Sequence, residues 1–237
     1  MQVVLLRVGI DTGFGGIHSP VFKDLSFELL SIPDSFALDK RTYGNTAIKK
    51  GGFLVDYFPV TRRDKMRAQS IHVDPEFETF TYGDPTPPKA SLRKLQQGDI
   101  LVFYAGLQGW NFSSLPALYI VGWFEIAWAG KANSISQAQL SIMFPNNFHV
   151  MHAEVFRQQR DRLVLVKGSE NSRLLKTAVK ISALGTDKNG RALHRFSAEM
   201  QSVFGGFAGK TSIQRSPPRW VAPEFTARAA EFIRTLR

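Results

Sequence analysis

The chain has no cysteine, which removes disulfides and every thiolate metal site and suits a reducing compartment. It has no apolar run approaching the roughly 18 to 20 residues that span a bilayer. No basic stretch followed by a long apolar segment opens it, so no signal peptide is expected. The expectation is a soluble, cytoplasmic protein with no membrane partner. Internal repeats and low-complexity linkers are also missing. What is present suffices for a packed core: 43% of the 237 residues are apolar and 12% aromatic, well above a disordered composition.

The net charge of +10 is unevenly placed. Residues 153–237 carry 16 Lys or Arg against 7 Asp or Glu, whereas residues 1–152 are almost balanced. A basic region of this kind draws polyanions by releasing their condensed counterions. Nucleic acid is the partner favoured on charge, and residues 153–237 are its expected contact region.

Strands are expected at "QVVLLRV" (2–8), "LSFELLSI" (25–32), "FETFTYGD" (77–84), "GDILVFYAG" (98–106), "PALYIVGWFEIAW" (116–128) and "RLVLVKG" (162–168). Gly122 inside the fifth marks a bulge or a close backbone approach. "RRDKMR" (62–67) is long enough for a turn of helix only. Near the end, Phe225, Ala229, Phe232, Ile233 and Leu236 share one helical face, with Pro223 at its start. Many short strands without βαβ alternation predict an α+β fold, mostly β. Its form would be a small barrel or a strongly bent mixed sheet with peripheral helices and a C-terminal helix, in one domain over 1–237.

The densest candidate is "LRVGIDTGFGGIHSP", after an apolar strand. An acid protease needs two aspartates sharing a proton, and no second Asp-Thr-Gly exists here. A phosphate loop needs a Gly-Lys-Ser/Thr ending or G-x-G-x-x-G spacing, and neither occurs. What remains is a close-approach loop. Gly15 and Gly16 free the backbone, and Asp11, Thr12, His18 and Ser19 place polar groups beside it. A tight turn in which Asp11 caps its own backbone has the same composition.

Four acids, Asp74, Glu76, Glu78 and Asp84, fall within eleven residues and are followed by Lys89. Such a group can include a general base or a metal-binding pair, or simply decorate an exposed strand. His149 and His152 lack the Glu of a His-Glu-x-x-His helix, so neither a metal nor a cofactor is expected. In "KTSIQRSPPRWV", Lys210, Arg215, Ser216 and Arg219 suit phosphate contacts from a stiff loop.

The stretch "LQQGDILVFYAGLQGWNFSSLPALYIVGWFEI" resembles an element of pseudouridine-synthase-and-archaeosine-transglycosylase-like (PUA-like) domains, which bind bases of RNA or modified DNA. That resemblance implies Tyr104, Trp110 and Trp123 near a cleft where an extruded base stacks. The order "LRVGIDTGFGGIHSPVFKD", "GDILVFYAGL…LYIVGWFEI" and "QRSPPRWVAPE" resembles the nucleotide-modification-associated domains of bacteria and phages, type three. This implies operons that install, recognise or attack modified bases, as in phage defence. It also marks Asp11, Gly15, Gly16, Ser19, Gly98, Asp99 and Arg215 as site or scaffold residues.

Two functions fit these expectations. One is a glycosylase-type hydrolase that excises an extruded modified base of DNA, with Asp11, or else Asp84, as its carboxylate. The other is a non-catalytic reader of modified bases, DNA or RNA, with the same cleft. A transferase would need a donor-binding loop, and none is found.

Overall fold

The computed structural model describes residues 1–10, 16–187, 189–207, 212–213 and 217–237. The catalytic expectation on Asp11, the base contacts expected from Thr12 and Gly15, and the phosphate contacts expected from Lys210, Arg215 and Ser216 lie outside the described residues.

The strands are β1 (Val3–Arg7), β2 (Ser19–Val21), β3 (Ile32–Pro33), β4 (Ile71–His72), β5 (Thr81–Asp84), β6 (Ile100–Gly109), β7 (Ala117–Lys131), β8 (Val164–Gly168), β9 (Arg173–Lys180), β10 (Ser182–Thr186), β11 (Ala192–Phe196) and β12 (Arg219–Trp220). The helices are α1 (Val60–Arg67), α2 (Gln137–Met143), α3 (Phe148–Met151), α4 (Ala153–Gln159), α5 (Ala198–Phe204) and α6 (Pro223–Thr235). A 3₁₀ segment, Pro87–Lys94, follows β5. There Pro87 and Pro88 lack the N–H a ladder would need. No described helix is long and apolar enough to cross a membrane.

Eight strands form one mixed sheet along the path β12-β1-β6-β7-β8-β5, with β2 on β6 and β9 on β7. Of the two expected forms, the bent sheet is the one found: among the described residues its ends, β12 and β5, do not pair and no barrel closes. β1 runs parallel to β6 and antiparallel to β12. β6 and β7 are buried along most of their length, which explains their near-continuous apolar runs. At Gly122 the ladder from β7 to β9 shifts register. A Cβ built there would stand 2.6 Å from the Phe77 ring and 2.8 Å from the Arg173 carbonyl oxygen. The bulge and the close approach coincide.

Two strands are shorter than their sequence predicts. In 25–32 only Ile32 enters a strand, β3. Asp24 Oδ1 accepts from the Ser26 N–H at 3.0 Å and its hydroxyl at 2.6 Å, and Leu25 takes φ +63°. This side-chain turn competes with strand pairing. In 77–84 the strand starts only at Thr81. The buried Glu76 carboxylate accepts from the Thr79 N–H at 2.9 Å and also from the Glu78 N–H, folding the first half into a turn.

Three apolar clusters result. The largest fills the main sheet and reaches Ile233 on α6. A second gathers Tyr43, Leu54, Val55, Phe58 and Ile71 under α1. The third joins Leu140 and Phe144 on and after α2 to Leu163 and Leu165.

Candidate functional site

A cavity of about 420 Å³ opens between the main sheet and the β3–β4 pair. β1 and the residues after it contribute Arg7, Val8 and Gly9, β4 brings His72, and Asp74 lies two residues further along. β5 supplies Tyr82, Gly83 and Asp84, the 3₁₀ segment Lys89, and the helical region His149 and Gln159. Phe36, 39% exposed, also lines the cavity.

At one wall the side chains form a chain of contacts. Gln159 Oε1 lies 2.7 Å from His149 Nδ1, and His149 Nε2 lies 3.5 Å from Asp74 Oδ2. The Gly83 N–H donates to both Asp74 oxygens, at 3.2 and 3.1 Å. Gly83 is what lets the imidazole close in, because a Cβ there would stand 2.8 Å from His149 Cδ2. His72 completes the group, its ring 4.8 Å from that of His149 and 3.9 Å from that of Phe148. One nitrogen from each histidine and one Asp74 oxygen lie within 4.8 Å of one another, so these three residues could hold a cation.

Burial pushes the Asp74 carboxyl up to about 6, against the opposing hydrogen bond from His149 and the N–H of Gly83. Burial also opposes the His149 imidazolium, but Asp74 and Gln159 outweigh it and its pKa rises. The two titrations are coupled, because each group has the other as its nearest opposite charge. His72 is driven down to about 3 by burial, helped by His149 and His152, and is a neutral imidazole.

The opposite sign of charge lies close by. Lys89 is 7% exposed, and burial lowers its pKa to about 8, with Asp84 and Asp74 acting against that shift and Arg7 adding to it. Asp84 is held in place, Oδ2 accepting from Tyr82 Oη at 3.1 Å and Oδ1 from the Thr86 N–H at 2.7 Å. Around Arg7 more basic side chains gather. His18 and Arg7 both lie over Gly106, and burial, then Arg7, His18 and Lys180, lower the pKa of His194 on β11.

Of the expected site residues, the structure puts Asp84 in this cavity and His18 beside Arg7 at its edge. Gly16 and Trp110 line a separate, shallower hollow with His18, where Trp110 meets Tyr57 edge-on at 4.9 Å. Ser19 is buried, and its hydroxyl accepts from the Leu30 N–H at 3.0 Å. Tyr104 and Trp123, expected in a base-stacking cleft, are in the core. Tyr104 donates its hydroxyl to the Ile213 carbonyl at 2.8 Å, and Trp123 is 2% exposed. The reason is the sheet: β6 and β7 are covered on both faces, so their rings have no open side. Arg219 sits on β12, its guanidinium 5.8 Å from the Phe207 ring. Gly98 and Asp99 are scaffold, for Asp99 caps the turn into β6 by accepting from the Gln2 and Gln96 N–H groups at 2.6 and 2.8 Å.

His72 and Gln159 escaped sequence reasoning. The "IHVD" spacing is the one signal that bore on His72, since residues two apart on an extended chain share a side. Nothing local announces Gln159.

No curated protein and no solved structure matches the chain. A family model described as nucleotide modification associated domain 3 matches residues 2–235. With nearly its whole length so covered, the chain belongs to the nucleotide modification associated domain 3 family, whose description ties it to nucleotide modification.

Proposed function

We propose that the cavity receives a modified base extruded from DNA and that the protein hydrolyses its N-glycosidic bond. The observation that carries this is one cavity of nucleoside size holding two carboxylates, Asp74 and Asp84, two cations, Arg7 and Lys89, and an exposed ring, Phe36. Pockets of roughly 300 to 1,000 Å³ suit small ligands, and 420 Å³ admits a base with its sugar.

Each group has a role. Phe36 offers a face on which an extruded base stacks. Arg7, with His18 beside it and Lys180 across His194, grips the flanking phosphates and fixes register without reading sequence. Asp84, oriented by Tyr82 and Thr86, faces the sugar. As the bond from C1′ to the base nitrogen breaks, positive charge grows on the sugar, and the fixed carboxylate stabilises it. The base leaves carrying the bonding pair, water adds at C1′, and the proton that the water sheds ends on the departing base, which leaves a 1′-hydroxyl on the sugar.

The test is base release from phage DNA with hypermodified cytosines, followed by alkali cleavage at abasic sites. Wild type should produce breaks that unmodified DNA does not show. Asp84→Asn should lower release about 100-fold or more while binding stays within twofold, the pattern of a group acting in the transition state. Intact DNA with tight, salt-sensitive binding would replace this reading with the non-catalytic reader. Absence of both breaks and binding would overturn the two together.

A further inference from the structure

We propose that His72, Asp74 and His149 form a site for a first-row divalent cation of the zinc class. The argument starts from lone pairs. Gln159 has an amide oxygen 2.7 Å from His149 Nδ1, and an oxygen can only accept, so Nδ1 carries the proton. In the neutral ring the lone pair then sits on Nε2, which faces an Asp74 oxygen at 3.5 Å. Two lone pairs at that distance repel unless something positive lies between them.

A shared proton would satisfy that contact alone. It does nothing for His72, whose Nε2 is buried with no hydrogen-bond partner among the described residues. Buried nitrogens of this sort call for a physical cause, and among the described ones, which include those of Trp123, His152 and Arg219, that of His72 is the one in a group of converging ligand side chains. A cation among the three side chains serves the His149–Asp74 contact and His72 at once.

The geometry and the surroundings agree. Ligand atoms about a zinc-sized ion stand roughly 3 to 3.5 Å apart. The edge from His149 to Asp74 already has that length at 3.5 Å, and all three ligand atoms fall within 4.8 Å. An inward turn of His72 by about 1 Å closes the set. Gln159 on His149 and the Gly83 N–H on Asp74 are the outer contacts that orient metal ligands. Two imidazoles and one carboxylate favour zinc, iron(II), cobalt(II) or manganese(II) over calcium or magnesium. Three protein ligands leave coordination positions open, and all three residues line the cavity.

Metal content is measured without substrate, so the ion site and the glycosidic reading stand or fall separately. Protein stripped with a chelator and titrated with cobalt(II) should bind about one equivalent and develop visible d–d bands. Their intensity separates a four-coordinate site, the zinc arm, from a five- or six-coordinate one, the iron or manganese arm. His72→Gln should lower cobalt affinity at least tenfold, and Gln159→Leu about 10- to 100-fold. Neither change should alter the far-ultraviolet circular dichroism. His72→Gln is preferred to a change at Asp74 because His72 Nε2 makes no hydrogen bond among the described residues that folding would lose. Failure to bind cobalt saturably would overturn the proposal, as would both variants binding like the wild type. The His149–Asp74 contact would then be a proton-sharing pair and nothing more.

Discussion

At the scale of single residues, Lys89 gives the sharpest consequence. Its amine is buried among Asp84, Asp74 and Arg7, and its pKa falls from 10.5 to about 8. The charged form is therefore the costly one in the folded chain. Between pH 8 and 10.5 the unfolded chain still holds a proton that the folded chain has released, so stability rises with pH across that window. Relative to Lys89→Met, the wild type should gain on the order of 2 kcal/mol over it. Urea denaturation of both proteins at pH 7.5 and pH 10 measures the difference, and parallel pH profiles would contradict it. The same scale shows how much of the site was legible. Asp74, Asp84, Lys89 and His149 stand out in the sequence as charges and imidazoles, because four acids within eleven residues of a nearly neutral half invite a chemical reading. Their convergence does not. Residues 74, 84 and 149 meet only because β5 pairs with β8 and α3 packs against β5. No spacing rule encodes such distant contacts.

At the scale of elements, β6, β7 and β8 were legible, because apolar runs bounded by turn residues have few alternatives. The "LSFELLSI" segment departs from its strand pattern because a two-residue Asp24–Ser26 contact outranks its apolar run. The short helices α2 to α4 were passed over, their caps being local hydrogen bonds such as Ser136 accepting from Gln139. Gly122 was read as a close approach, and its neighbours state the cost of disturbing it. Gly122→Ala drives a methyl against Phe77 and the Arg173 carbonyl, and the backbone oxygen cannot yield cheaply. A loss of about 1 to 3 kcal/mol is expected, read as a lower denaturation midpoint with an unchanged slope. A fully neutral substitution would mean that the ladder from β7 to β9 can slide.

For the whole molecule, the charge asymmetry takes spatial form. β9 and β11, both from the basic last third, bring Lys180 and His194 together, and Arg7, near the start of the chain, also lies within electrostatic reach of His194. Counterion release makes such a surface salt-dependent, each phosphate contact adding about 0.9 to the slope of log affinity against log salt. Lys180→Ala should lower that slope by about 1 for DNA of any sequence, measured by fluorescence anisotropy across a salt series. An unchanged slope would remove Lys180 from the contact surface.

The two-sided lining of the cavity, His72 of β4 on one side and Tyr82 to Asp84 of β5 on the other, has a dynamic consequence. His72 follows Ile71 of the second cluster, and His149 packs on β5 beside the main one. Proteins open in cooperative units well short of global unfolding. A breath that lifts the second cluster would take His72 out of the cavity while the large sheet stays intact. Whatever occupies the cavity and touches both sides binds the closed form alone. It would slow amide exchange across the segment from Tyr43 to His72 while leaving the slowest amides of β6 and β7 untouched.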